Sequence, residues 1–79
     1  MDKNILIDQL NDLGKYENNQ FKKIAYFKAA RIINEMGEDE FNIRNDFIDI
    51  KGIGEAINKK IIQFKKTGFI EKWKTISGE

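Results

Sequence analysis

Between positions 50 and 57 the chain reads Ile50-Lys51-Gly52-Ile53-Gly54-Glu55-Ala56-Ile57. Two glycines flank one apolar residue, and a helix-forming run begins directly after them. Glycine tolerates positive φ and, lacking a Cβ, lets another backbone come close. The first turn of a helix carries N–H groups with no intrahelical acceptor. Together with the positive end of the helix dipole, those donors form an anion site. Ile53 is expected to plug the hairpin into the core. Donors of this kind on Gly52, Ile53, Gly54, Glu55 and Ala56 would meet phosphate and not bases, so a nucleic-acid contact here should be independent of sequence.

A lone Gly-x-Gly is also compatible with an ordinary tight turn. The flanks are more informative. A short apolar segment precedes the glycines, and Ile57, Ile61 and Phe64 follow at helical spacing. This is the pattern of a helix-hairpin-helix over about 43–67. Two other phosphate motifs do not fit. There is no third glycine and no preceding strand for a dinucleotide fingerprint, and the P-loop pattern of glycine and lysine is absent.

Charge is unevenly spread along a chain whose formal net charge is only +1. Positions 51–76 hold seven lysines (51, 59, 60, 65, 66, 72 and 74) against Glu55 and Glu71, whereas positions 1–50 are net acidic. Lys22, Lys23, Lys28 and Arg31 add a second basic stretch free of acids. Basic charge gathered on part of a near-neutral protein suits a polyanion-binding face. The plainer alternative is that these lysines solvate helix surfaces. Lys59, expected to point to solvent on the helix after the hairpin, is included among the phosphate-binding candidates.

The 79 residues include no histidine and no cysteine. Histidine acid/base chemistry, thiolate metal sites and disulfides are therefore excluded. The acidic run Glu38-Asp39-Glu40 is read as a solvated loop, since no further ligands accompany it. No apolar run approaches the length of a membrane span and no signal-peptide core is evident, so an intracellular protein without a membrane partner is expected.

The elements that must position the hairpin are helical. The spacing predicts helix over 3–16, with Ile5, Leu6, Leu10, Leu13 and Tyr16 on one side, and Gly14 weakening its last turn. A second helix is predicted over 20–36, capped by Asn18 or Asn19, striped with Phe21, Ala25, Ala29, Ile32 and Met36, and stopped by Gly37. A short third helix is expected over 43–49, capped by Asn42 or Asn45, with Phe47, Ile48 and Ile50 inward. The fourth runs from Glu55 to Thr67 and ends at Gly68. Residues 69–76 add a helical turn or two, anchored by Phe69, Ile70 and Trp73. The expected architecture is all-α: one domain over 1–79, a compact orthogonal four-helix bundle with a C-terminal turn or linker.

Two blocks resemble the amino-terminal domain of family X DNA polymerases, the group of DNA polymerase beta. One is Phe21-Lys22-Lys23-Ile24-Ala25-Tyr26-Phe27-Lys28-Ala29-Ala30; the other runs from Ile50 to Gly68. Together they extend the resemblance over nearly the whole chain. It implies a domain that holds the 5′-phosphate side of gapped or nicked DNA and acts in base excision repair, ahead of a polymerase domain. It further implies a 5′-deoxyribose phosphate lyase with Lys60 as the Schiff-base nucleophile, and phosphate contacts from Lys22, Tyr26 and Lys72. Backbone carbonyls of Ile48, Ile50 and Ile53 would fall where the family holds a monovalent cation, Na+ or K+; the lyase step itself requires no cofactor. The chain departs from the family pattern at Lys51, where the family has proline. It also has Phe21 where polymerase beta has histidine, and Ala56 in place of a pocket lysine.

Helical geometry gives Lys60 two readings. It lies at the edge of the stripe Ile53, Ile57, Ile61 and Phe64, about 60° from Ile57. An edge lysine either snorkels over the core rim or presents a partly desolvated amine among other cations. Three functions follow: a DNA-binding lyase-type domain, a non-catalytic DNA tether, or a protein-interaction bundle using Phe69, Ile70 and Trp73.

Overall fold

The computed structural model describes residues 2–76 and contains five helices, with no strand among those residues. They are α1 (Lys3–Tyr16), α2 (Gln20–Glu35), α3 (Glu38–Ile43), α4 (Glu55–Thr67) and α5 (Glu71–Ile76). The all-α expectation holds. The limits of α1 and α4 match those read from the sequence, and the expected C-terminal turns are α5. Positions 77–79 of the expected linker lie outside the described residues.

Local chemistry fixes the ends. Asp2 Oδ1 accepts the N–H of Asn4 at 2.9 Å, and Asn19 Oδ1 accepts that of Lys22 at 3.1 Å, each satisfying an otherwise orphan donor. Gly68 adopts φ 90° and returns its N–H to Phe64 O at 2.7 Å, a left-handed C-terminal stop. Two lysines close helix C-termini from a distance. Lys3 Nζ donates to the carbonyls of Ile33, Asn34 and Met36 at the end of α2. Lys65 Nζ donates to those of Phe41, Asn42 and Arg44 at the end of α3, and its burial pushes the ammonium pKa down. Cations are favoured at that pole of a helix.

The third helix is displaced from its expected place. The acidic run is not a loop but the first turn of α3, where three carboxylates favour the positive pole of the dipole. Positions 44–47 are instead irregular, and 48–49 form a turn. Arg44 donates to Asp46 O at 3.3 Å and Asp46 Oδ1 accepts the N–H of Ile48 at 2.7 Å, so side chains take over backbone pairing that a helix would supply, while Arg44 is itself held by Glu40 at 3.0 Å and Asp49 at 2.8 Å. Neither Asn42 nor Asn45 caps a helix. Gly37 does not end α2 in a left-handed turn: Met36 is the C-cap, and Gly37, at φ −64°, precedes α3 as its N-cap.

The core gathers Leu6, Leu10 and Leu13 of α1, Tyr26, Ala29, Ala30 and Ile33 of α2, Phe41 and Phe47 around the turn, and Ile53, Ile57, Ile61, Phe64 and Ile70. Several expected inward residues are exposed: Ile5, Tyr16, Phe21 and Ile48. The buried α2 face is Tyr26, Ala29, Ala30 and Ile33, rotated from the expected stripe, and α1 comes close to α2 at Gly14, beside Phe27. A Cβ on Gly14 would come within 2.6 Å of the Phe27 ring, so this glycine serves helix contact more than termination. Of the three expected anchors, Ile70 and Trp73 are spent internally, whereas Phe69 is half-buried outside the core with Lys74 Nζ 5.0 Å from its ring centre. Ile70 is fully buried, its N–H donates to Gln9 Oε1 at 2.7 Å, and Trp73 Nε1 donates to Asp12 at 2.9 Å.

Asn58 holds the hairpin's entry. Its Oδ1 accepts the buried N–H of Phe47 at 2.8 Å, tying the turn to α4. Asn58→Ala leaves that donor unpaired and is expected to cost about 1–3 kcal/mol, read as a lowered urea midpoint with an unchanged slope.

Candidate phosphate-binding cleft

The hairpin is built from two successive turns. Ile50 N–H donates to Phe47 O and Ile53 N–H donates to Ile50 O, both at 3.1 Å. Gly52 between them sits at φ 100°, a conformation that side chains resist, and a Cβ there would meet Ile32 Cδ1 and Lys28 Cδ at 3.0 Å. Gly54 is different. Its φ is −85°, and nothing lies within 4 Å of a Cβ built on it. Only Gly52 is thus required by backbone conformation. Ile53 is buried and plugs the hairpin into the core as expected.

Gly54 is the N-cap of α4 and offers no side-chain oxygen. The first-turn amides of α4 receive no side-chain cap, while Asn58 N–H returns to Gly54 O at 2.9 Å. Amides left in this way point outward along the dipole. The residues that carry them line a cleft of about 320 Å³, bounded by Lys22, Ala25 and Tyr26 of α2, by Gly54, Glu55, Ala56, Ile57 and Lys60, and by Lys72 of α5. Three cations from three helices thus converge on one helix start.

Lys60 lies at the edge of the α4 stripe, partly buried, with Nζ 5.9 Å from the centre of the buried Tyr26 ring. Burial lowers its ammonium pKa from the ordinary 10.5, and Lys72 and Lys22 lower it further, while Glu17 acts in the opposite direction. Both causes favour the neutral amine. Lys59 is exposed and lies outside this cleft, on an adjoining shallow depression with Glu55, Ala56, Lys60 and Gln63.

The sequence-derived candidates separate into groups. Gly54, Glu55, Ala56, Lys22, Tyr26, Lys60 and Lys72 share the cleft. Gly52 and Ile53 shape the hairpin beneath it. Ile48 and Ile50 lie in the turn before it, and the Ile50 carbonyl is engaged by Ile53 N–H. No group of three or more acidic side chains suited to a metal ion occurs among the described residues. Lys65, counted with the basic segment, is committed to the end of α3. Sequence reasoning missed Glu17, which ends α1 and pairs with Lys72 at 3.7 Å. It also missed Asn58, since a polar residue on an otherwise apolar stripe was the sole signal.

A helical domain organised around a two-glycine hairpin with an uncapped helix start is the architecture of the helix-hairpin-helix class. A family model described as a helix-hairpin-helix domain matches residues 1–70, and the chain belongs to that family. No curated protein and no solved structure matches it. No helix among the described residues is long and apolar enough to cross a membrane.

Proposed function

We propose that this domain grips the DNA backbone at gaps, nicks and 5′-phosphate ends, independently of sequence, as the lyase-type amino-terminal domain of a family X repair polymerase. One observation carries this reading: Gly54, Glu55 and Ala56, where α4 starts without a side-chain cap, line the same cleft as Lys22, Lys60 and Lys72. Backbone donors and lysines offer charge and hydrogen bonds to phosphate but no pattern that distinguishes bases. A DNA-proximal Na+ or K+ on the carbonyls of Ile48, Ile50 and Ile53 belongs to the same proposal. The Ile50 carbonyl retains a lone pair beyond its bond to Ile53.

The proposed chemistry uses Lys60. Its neutral amine attacks C1′ of the ring-opened 5′-deoxyribose phosphate, and loss of water gives an imine. The imine acidifies the C2′ proton. Removal of that proton forms the C2′–C3′ double bond and expels the DNA 5′-phosphate from C3′. Hydrolysis of the remaining imine returns Lys60. Lys22, Tyr26 and Lys72 hold the sugar phosphate so that C1′ meets the amine at attack distance. The alternative of a non-catalytic tether is favoured by Glu55 and Ala56, which put a carboxylate and a methyl group where further cations would strengthen the pocket.

Binding to a 5′-phosphorylated one-nucleotide gap should be insensitive to base sequence. With about four phosphate contacts, log affinity should fall against log salt with a slope of about −3 to −4. Fluorescence anisotropy across a salt series measures this, and no affinity at low salt would overturn the proposal.

A further inference from the structure

Glu17 ends α1 as its C-cap, and its side chain is only 14% exposed. Its two oxygens have separate partners. Oε2 accepts the N–H of Asn19 at 3.0 Å, which fixes the carboxylate, and Oε1 lies 3.7 Å from Lys72 Nζ. The groups facing Lys60 are the cations Lys22 of α2 and Lys72 of α5, the Tyr26 ring of α2 and this carboxylate, with Glu55 of α4 also lining the cleft.

We propose that Glu17 is a resident counter-anion of the cleft, which an incoming terminal phosphate displaces from Lys72. The inference rests on the phosphate-binding reading of the cleft and adds a residue that sets its selectivity. A carboxylate there lowers the positive potential met by any ligand. The penalty scales with ligand charge, so it falls most heavily on a terminal phosphate, which carries about −1.5 to −2 near neutral pH. The same carboxylate restrains the depression of the Lys60 ammonium pKa, and its own pKa is held down by the Asn19 N–H and then by Lys72 and Lys22. Binding of phosphate at Lys72 thereby trades one anion beside Lys60 for another.

The test is Glu17→Gln, whose amide oxygen can still accept from Asn19. Affinity is measured for a gapped duplex bearing either a 5′-phosphate or a 5′-hydroxyl, and for inorganic phosphate followed at the amides of Glu55 and Ala56. In the absence of ligand, the 13C shift of Lys60 Cε is titrated with pH. Removing one partly exposed ion pair should tighten the 5′-phosphorylated duplex about threefold, with a smaller change for the 5′-hydroxyl duplex. Inorganic phosphate should also bind more tightly, and the Lys60 midpoint should fall. Wild-type binding that is unchanged or weakened by Glu17→Gln overturns the inference while leaving the phosphate reading intact. An unmoved Lys60 midpoint also overturns it. Absence of wild-type binding to both duplex and inorganic phosphate instead overturns the phosphate reading itself.

Discussion

Lys60→Ala is expected to remove nearly all the adduct trapped by borohydride on pre-incised abasic DNA, a loss on the order of 10²-fold, while Lys59→Ala retains it. The two lysines are chain neighbours of identical chemistry, so the difference isolates position. Lys60 lines the cleft and is partly desolvated beside Lys22 and Lys72; Lys59 is exposed outside it. A Schiff base forms only from the neutral amine. Trapping by the wild type should therefore rise with pH, through a midpoint below the ordinary lysine value of 10.5. The sign follows from the causes, since burial and neighbouring cations both destabilise the protonated form. Equal trapping by all three proteins would mean adventitious reaction at surface lysines. Absence of trapping by a wild type that still binds DNA would leave the domain as a tether.

The second large effect separates the two glycines. Gly54→Val should fold normally, because its φ of −85° suits valine and its surroundings are open. It should nevertheless weaken DNA binding about tenfold or more, since the new side chain stands where phosphate must approach backbone donors and would forfeit charge-assisted hydrogen bonds of about 1.5–3 kcal/mol each. Gly52→Val should act on stability first. At φ 100°, with Ile32 and Lys28 in close contact, valine is strained by about 1–3 kcal/mol before any clash is added. For a domain of this size that lowers the melting temperature by several degrees, about 4–8 °C per kcal/mol. Calorimetry and anisotropy on both variants check the pair. A Gly54→Val protein with unaltered affinity would remove direct approach to the hairpin from the account.

Much of this arrangement was legible in the residues, and what was not has identifiable causes. The limits of α4 followed from an apolar stripe at helical spacing and from Gly68, whose left-handed conformation requires glycine. The Lys60 edge position followed from the helical period. The third helix lies elsewhere than expected because Phe47 and Ile48 invite an inward face, whereas side chains of Arg44, Asp46 and Asn58 pair with that backbone without a helix. The acidic run reads as a loop because charge on an exposed segment suggests solvation, although the same charges favour a helix start. The meeting of Lys22, Lys60 and Lys72 depends on how α2, α4 and α5 dock, and no local pattern specifies that. Lys72 reaches the cleft on a short helix secured through Ile70 to Gln9 and Trp73 to Asp12, contacts that span 61 positions. Glu17 was invisible for the same reason, since its partner is distant in the chain.

The most direct measurement of the central claim is a titration of the 15N-labelled domain with a 5′-phosphorylated gapped duplex, followed amide by amide. The account predicts that the largest shifts fall on Ile53, Gly54, Glu55 and Ala56, with Lys22 and Lys72 next, and that a duplex of different base sequence gives the same map. Shifts that spare the start of α4 and gather elsewhere, for instance along the exposed acidic face of α3, would contradict it.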